Sequence, residues 1–468
     1  MPRRPFRERS NCITLSHPQF VKFIRHSDEF LSGHCQSALL SWILINMKAT
    51  NVIFIGIDTL RADHLSYNGY SRKTSPNIDA LASESIDFRN CFSQAPITAP
   101  SFASIFTSLY PLFHGVVENM GKGMGWKMRP DVPTLAEVLN TSGYRTCAFT
   151  EGGNLSKMVG IHRGFDKYET EPYSLSKGEP HPVFSWLSEN YKSKFFLFFH
   201  TFAVHAPYLP PKPFNTLFRT KYDGPLPRSI EEFKEKSKGT NLTIYEQMQA
   251  EKHKPEAIEH LRALYDGSIV YMDEFIGRLL KHISSLGLLE NTLLIFTSDH
   301  GEEFMEHGGI YHRRHHDEVL HVPLLVRMPG GARAGEKIHR VVRSIDIMPT
   351  ILEHLEITAP ATLQGKSLFL EITRPAPSQT RYNKFSLRTD HYRYIFAETL
   401  DKIELYNMLV DPGAHMNIAA YSKRLIERLH AEYTGEITAA KLVLPPHSMF
   451  ILRGHSEFAV EKIKAKLW

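Results

Sequence analysis

The sequence predicts an α/β fold: a large, mostly parallel sheet sandwiched by helices, with a smaller C-terminal α+β subdomain. Three observations carry this. Asn51-Val52-Ile53-Phe54-Ile55-Gly56-Ile57-Asp58 and Leu293-Leu294-Ile295-Phe296-Thr297-Ser298-Asp299-His300 are near-continuous apolar runs. Such runs mark strands buried on both faces of a parallel sheet. From about residue 49 to 355, strand and helix patterns alternate, as in chains wound from βα units. Turn signals then crowd residues 360–377, and short strand-like segments follow.

The elements follow in chain order. Ser75-Pro76-Asn77 opens a helix, with Ser75 as N-cap and Pro76 in the first turn. Residues 132–139 read as a second helix, leading into a strand at 145–149. Residues 195–201 form a strand of nearly pure aromatic and aliphatic residues, read as core. Residues 209–254, rich in proline and charge, read as an insertion over one edge. A long helix spans roughly 255–286 and precedes the second key strand. Residues 322–328 form a further strand, closed by Pro329-Gly330-Gly331. Beyond the boundary, 392–396 and 404–407 read as strands of a small second sheet, and 422–433 as an amphipathic helix. This divides the chain into an N-terminal extension (1–48), a catalytic domain (49–370) and a small subdomain (371–468).

Composition excludes several classes. With 468 residues and 42% hydrophobic residues the chain has ample material for one large core. A formal charge of +5 is a mild excess that suits a small anionic substrate and does not argue for nucleic acid. Cys12, Cys35, Cys91 and Cys147 show no zinc or disulfide spacing, which favours a reducing compartment. No run reaches the roughly 18–20 apolar residues of a membrane span. The expectation is a cytoplasmic protein without stable membrane insertion, and the sequence leaves its oligomeric state open.

Chemistry concentrates at the ends of the two key strands. Ligands of open α/β sheets bind beyond the carboxyl ends of the strands, and buried carboxylates there are costly unless paired, protonated or bound to a metal. Asp58, Asp299 and His300 together point to a cation held by oxygen and imidazole. Pro96-Ile97-Thr98-Ala99-Pro100-Ser101-Phe102 opens a buried helix with Thr98 at its N-terminus, where the unpaired N–H groups favour an anion. Thr98 is then either an N-cap or a hydroxyl activated by a neighbouring cation. The run His312-Arg313-Arg314-His315-His316-Asp317 reads as a solvated basic rim in which only His312 is a site candidate, and Glu302, Glu303 and Glu306 as exposed loop acids that could alternatively orient the metal segment.

These segments resemble the sulfatase family of the alkaline phosphatase superfamily. The likeness rests on Asp58-Thr59-Leu60-Arg61-Ala62-Asp63-His64, Asn68-Gly69-Tyr70, Thr98-Ala99-Pro100-Ser101, His205-Ala206-Pro207-Tyr208 and Ser298-Asp299-His300-Gly301-Glu302, in that order. It also departs from the family. Thr98 stands where sulfatases carry the Cys or Ser converted to formylglycine. Phe102 replaces the signature arginine, Thr59 a second aspartate, and His312 a later lysine. The resemblance implies one divalent ion (Mn²⁺, Zn²⁺ or Ca²⁺) held by Asp58, Thr98, Asp299 and His300. It implies Thr98 as nucleophile and His205 or His312 as the acid that protonates the leaving group. The expected activity is metal-dependent hydrolysis of a sulfate or phosphate ester. The alternatives are a phosphodiesterase or phosphotransferase using threonine, or a non-catalytic relative that binds an anion or partner.

Overall fold

A computed structural model describes residues 50–119, 126–236, 243–380, 384–397 and 402–438. The expected extension at 1–48 lies outside the described residues, as do Cys12 and Cys35.

The large sheet has the order β11-β2-β10-β6-β1-β5-β3-β4, with β9 pairing to β2. Its centre is parallel. β1 (Asn51–Ile57) lies between β5 (Phe195–Thr201) and β6 (Thr292–Ser298). β3 (Arg145–Phe149) and β4 (Lys167–Glu169) extend the parallel run on the β5 side. β10 (Leu324–Arg327) pairs antiparallel to both β6 and β2 (Ile86–Phe92). β11 (Lys337–Arg343) closes that edge, parallel to β2. Every residue of β1, β5 and β6 is buried, as continuous apolar runs require when helices cover both faces. The expected strand at 322–328 is divided at Pro323, which lacks the N–H that a central ladder needs. His321–Val322 (β9) pairs with β2, and β10 begins beyond the proline.

Helices position the strands' ends. α1 (Pro76–Ser83) carries Ser75 at its N-cap, but the Ser75 hydroxyl donates to Asp79 Oδ1 instead of capping the helix. The first-turn N–H groups of Asn77 and Ile78 donate to Asp273 on the long helix, at 3.1 and 2.8 Å. α2 (Thr98–Thr107) is buried along its whole length. Its Phe102 ring lies against Gly56 of β1, where an added Cβ would come within 2.9 Å of it. α3 (Leu135–Thr141) starts at a capping box of Thr134 and Glu137, three residues later than expected. α4 (Pro182–Asn190) precedes β5.

The 209–254 segment carries α5 (Ile230–Lys236) and α6 (Ile244–Glu251). It lies against the long helix α7 (Pro255–Ser285). The backbone of Phe214 approaches so closely that a Cβ on Gly267 would meet its carbonyl oxygen at 2.3 Å. Tyr222 stacks on His260, with ring centroids 4.8 Å apart.

α8 (Ile347–His354) ends the alternating part. The smaller sheet is antiparallel: β12 (Ala376–Gln379), β13 (Lys384–Arg388), β14 (Tyr392–Ala397) and β15 (Ile403–Asn407). The helix α9 (Lys423–Thr438) packs Ile426, Leu429, Tyr433 and Ile437 against Phe385, Leu387, Tyr394 and Phe396. The expected boundary at 370 falls in the connection between α8 and β12. Across it, Asp317 accepts from Arg388 and Arg393, and both guanidinium groups lie over the Phe92 ring. No described helix is long and apolar enough to cross a membrane.

Candidate metal and nucleophile centre

Register places the site. Ile57 pairs with Ser298, and Gly56 with His200. Asp58, Asp299, His300 and the His200 side chain therefore emerge at one end of three adjacent strands. The hairpin-free turn after β1 is held by its backbone. Thr59 adopts φ 58°, and its N–H donates to Asp299 Oδ1 at 3.1 Å. The Leu60 N–H donates to Ser298 Oγ and the Arg61 N–H to Tyr265 Oη, each at 2.9 Å. Thr59 thus takes part through its amide, although it lacks the carboxylate expected there.

Asp58, Asp299 and His300 are fully buried and offer one ligand atom each within 4.8 Å of one another. His300 Nε2 lies 3.3 Å from Asp299 Oδ2. Its Nδ1 faces the Gly301 carbonyl at 3.0 Å, which fixes the Nδ1–H tautomer and leaves the Nε2 lone pair directed at the cluster. Burial, reinforced by His312, lowers the His300 pKa to about 3, so the ring is neutral, as a ligand must be.

Thr98 joins this group. It is the first residue of α2; Ile97 is the N-cap and offers no side-chain cap of its own. The Thr98 hydroxyl donates to Asp58 Oδ2 at 3.2 Å and lies 3.4 Å from His300 Nε2. The capping role open to it in the sequence is not the one it takes. Two neighbours pin the helix start: the Ala99 N–H donates to Asn119 Oδ1 at 2.9 Å, and Ser101 Oγ donates to the Asp299 carbonyl at 2.7 Å.

The residues fit a divalent cation. Asp58 Oδ1 and Asp299 Oδ2 are buried without a hydrogen-bond partner, where buried polar atoms are normally satisfied. Among the described residues, no lysine or arginine pairs with either carboxylate. Desolvating an ion costs several kcal/mol, so two such acids need compensation. Burial and the Asp58 charge push Asp299 well above the usual carboxylate range. Burial also opposes the Asp58 charge, but His205, His200 and His300 outweigh it and hold that carboxyl low. One carboxylate is ionised at the expense of the other, and a divalent cation relieves that conflict.

A second layer of histidines surrounds the group. The His312 ring lies 4.4 Å from His300 and 5.3 Å from His205. Its Nδ1 contacts Glu302 Oε1 at 3.2 Å. Burial opposes charge on His312, but Glu302 outweighs it and holds the imidazole above its ordinary pKa. His205 directs Nδ1 at the Ala206 carbonyl, 2.5 Å away. All six expected site residues, Asp58, Thr98, His205, Asp299, His300 and His312, thus fall in one neighbourhood.

The surrounding loop departs from expectation. Glu302 and Glu303 are buried, and Glu306 accepts from Arg61 at 2.8 Å, so none is an exposed loop acid. The run at 312–317 is a solvated rim only at Arg313 and Arg314. His315 and His316 are buried, and Asp317 binds the C-terminal sheet. The physical reason is tertiary: the smaller sheet covers this loop, which local sequence does not record. Phe102 is also explained, since its ring fills the core beside Gly56, Phe198 and His200. Glu302, an acid that the sequence allows to orient the metal segment, is buried and meets His312. One site residue escaped the sequence reading: His200, visible only as an imidazole near the end of an otherwise apolar strand.

Comparisons with known proteins bear on the family and the fold. The family model described as Sulfatase matches residues 50–357. One described as N-sulphoglucosamine sulphohydrolase, C-terminal, matches residues 305–441. The chain is 24% identical to the N-acetylglucosamine-6-O-sulfatase of Bacteroides thetaiotaomicron, over 82% of this chain and 87% of that one. It is 25% identical to the Arylsulfatase K of Homo sapiens, over 80% of this chain and 79% of the relative. Among solved structures, the phosphonate monoester hydrolase of Agrobacterium radiobacter superposes with a TM-score of 0.67 at 21% identity, covering 83% of this chain and 95% of that one. That likeness is one of fold.

Proposed function

The chain belongs to the sulfatase family of ester hydrolases, and on that premise we propose that it cleaves a small anionic sulfate or phosphate ester with Thr98 as nucleophile. The observation that carries this reading is the contact of the Thr98 hydroxyl with both Asp58 and His300, beside two carboxylate oxygens that have no protein partner. Asp58, Asp299, His300 and Thr98 would hold one divalent ion, Mn²⁺, Zn²⁺ or Ca²⁺; the imidazole favours the first two. When bound, such an ion neutralises the ester's charge and lowers the pKa of a hydroxyl beside it.

The chain's own residues supply the remainder. Thr98 Oγ1 attacks sulfur or phosphorus in line, and its proton leaves along the existing hydrogen bond to Asp58 Oδ2. The N-terminus of α2 favours the anion through the positive end of its helix dipole. His312, held by Glu302, protonates the departing alcohol oxygen; His205 stands beside it. Water then attacks the threonine ester and regenerates the hydroxyl. The named activities of the two sulfatase relatives support a sulfate ester. The threonine itself favours the second reading, a phosphodiesterase or phosphotransferase, because it lacks the route by which formylglycine sheds sulfate.

The test is a substrate panel of aryl sulfate, phosphate monoester and phosphodiester, each with added Mn²⁺, Zn²⁺ or Ca²⁺. One class is expected to turn over with metal and to fail with chelator. Turnover undiminished in Thr98→Ala would remove Thr98 from the nucleophile's role.

A further inference from the structure

His200 stands out among the buried side chains near the site. It is 1% exposed, yet neither ring nitrogen has a hydrogen-bond partner in the protein. Leaving a buried polar group unsatisfied costs about 1–3 kcal/mol, and phenylalanine would suit its surroundings better. Its ring is packed edge-on against Phe202 at 4.7 Å and Phe102 at 5.1 Å, with Phe198 at 6.1 Å. Three other core histidines spend ring nitrogens on fixed partners. His64 Nδ1 meets Asp266 at 2.7 Å, His114 meets the Ser104 hydroxyl and the Val116 N–H, and His181 accepts from the Val183 N–H. His200 Nε2 instead faces Asp58 Oδ2 from 3.8 Å. That is the oxygen already contacted by Thr98; the other, Oδ1, has no partner.

We propose that His200 is a positioning residue for Asp58: its Nε2, at ion-pair distance from Oδ2, draws that oxygen to the Thr98 side and leaves Oδ1 for a divalent cation. The inference rests on the metal reading given above. Three aromatic rings fix the imidazole in place, so the preference it imposes on Asp58 is built into the folded chain. A side chain that orients a metal ligand typically changes metal affinity by roughly 10–100-fold.

The experiment is titration calorimetry of Mn²⁺ into chelator-stripped full-length protein: wild type, His200→Phe, His200→Gln and Asp58→Asn. The expected result is a roughly 10–100-fold weaker affinity in His200→Phe, affinity within a few fold of wild type in His200→Gln, which keeps a donor, and loss of binding in Asp58→Asn. The melting temperature of the metal-free His200→Phe protein should equal or exceed that of wild type, which a merely structural histidine would not allow. If His200→Phe does not fold, His200→Leu replaces it with the same expectation. Wild-type affinity in the donor-free variant, together with loss in Asp58→Asn, overturns the inference and leaves the metal reading standing. Unchanged binding in Asp58→Asn overturns both.

Discussion

Asp58 and Asp266 are both fully buried carboxylates facing a histidine, yet they are built to opposite ends. Asp266 spends both oxygens on the protein: Oδ1 on His64 at 2.7 Å, and Oδ2 on the Tyr70 hydroxyl at 2.8 Å and Arg72 at 2.7 Å. It ties the loop after β1 to α7 and leaves nothing over. Asp58 and its neighbour Asp299 each keep one oxygen without a partner and, among the described residues, pair with no lysine or arginine. Both centres bury charge. Only one is incomplete, and incompleteness separates a binding centre from a brace.

The comparison can be broken by exchange experiments. The largest effect belongs to Thr98→Ala, expected to lower turnover at least about 10⁴-fold, as removal of a nucleophile does, with unfolding by urea little changed. Next come the two acids. Asp299→Asn should abolish metal binding and turnover while keeping or raising metal-free stability, since it removes an uncompensated charge. Asp266→Asn should do the reverse, costing about 3 kcal/mol of stability with metal affinity near wild type. Paired calorimetry and urea melts check both, and equal behaviour of the two variants would erase the distinction. His312→Gln is expected to cost roughly 10²–10⁴ in turnover without moving metal affinity; a parallel loss of affinity would make His312 part of the metal's support.

The smallest effect is at the contact with the C-terminal sheet. A hydrogen bond from His316 holds Glu404 down to about 2, against an ordinary value of 4.5. A depressed carboxyl stabilises the fold above its unfolded pKa and loses that contribution as pH falls towards its folded one. The stability gap between wild type and Glu404→Gln should therefore be full above about pH 4.5 and close as pH falls to about 2. Urea melts across that window measure it, and a gap independent of pH would assign the contact to packing.

Much of this was legible in the chain. The central strands could be read because double burial demands apolar runs, and β3 and β5 begin and end where their patterns do. Asp58, Asp299 and His300 could be read because they interrupt such runs at their carboxyl ends. The burial of His315 and His316 could not. It depends on a sheet that begins about 60 residues later, and the Asp317–Arg393 pair that fastens it leaves no local mark. His200 was hidden by its setting, since a single imidazole in Phe195–Thr201 reads as part of a core strand until register places it opposite Gly56.

Gly56 carries a consequence of its own. The gap it leaves in β1 is filled by Phe102, one helical turn beyond the Thr98 hydroxyl. A methyl group placed there would collide with that ring, and the strain would pass along four residues to the proposed nucleophile. An inert position in the strand therefore sets where that hydroxyl sits, so that core volume and the placing of Thr98 cannot change independently.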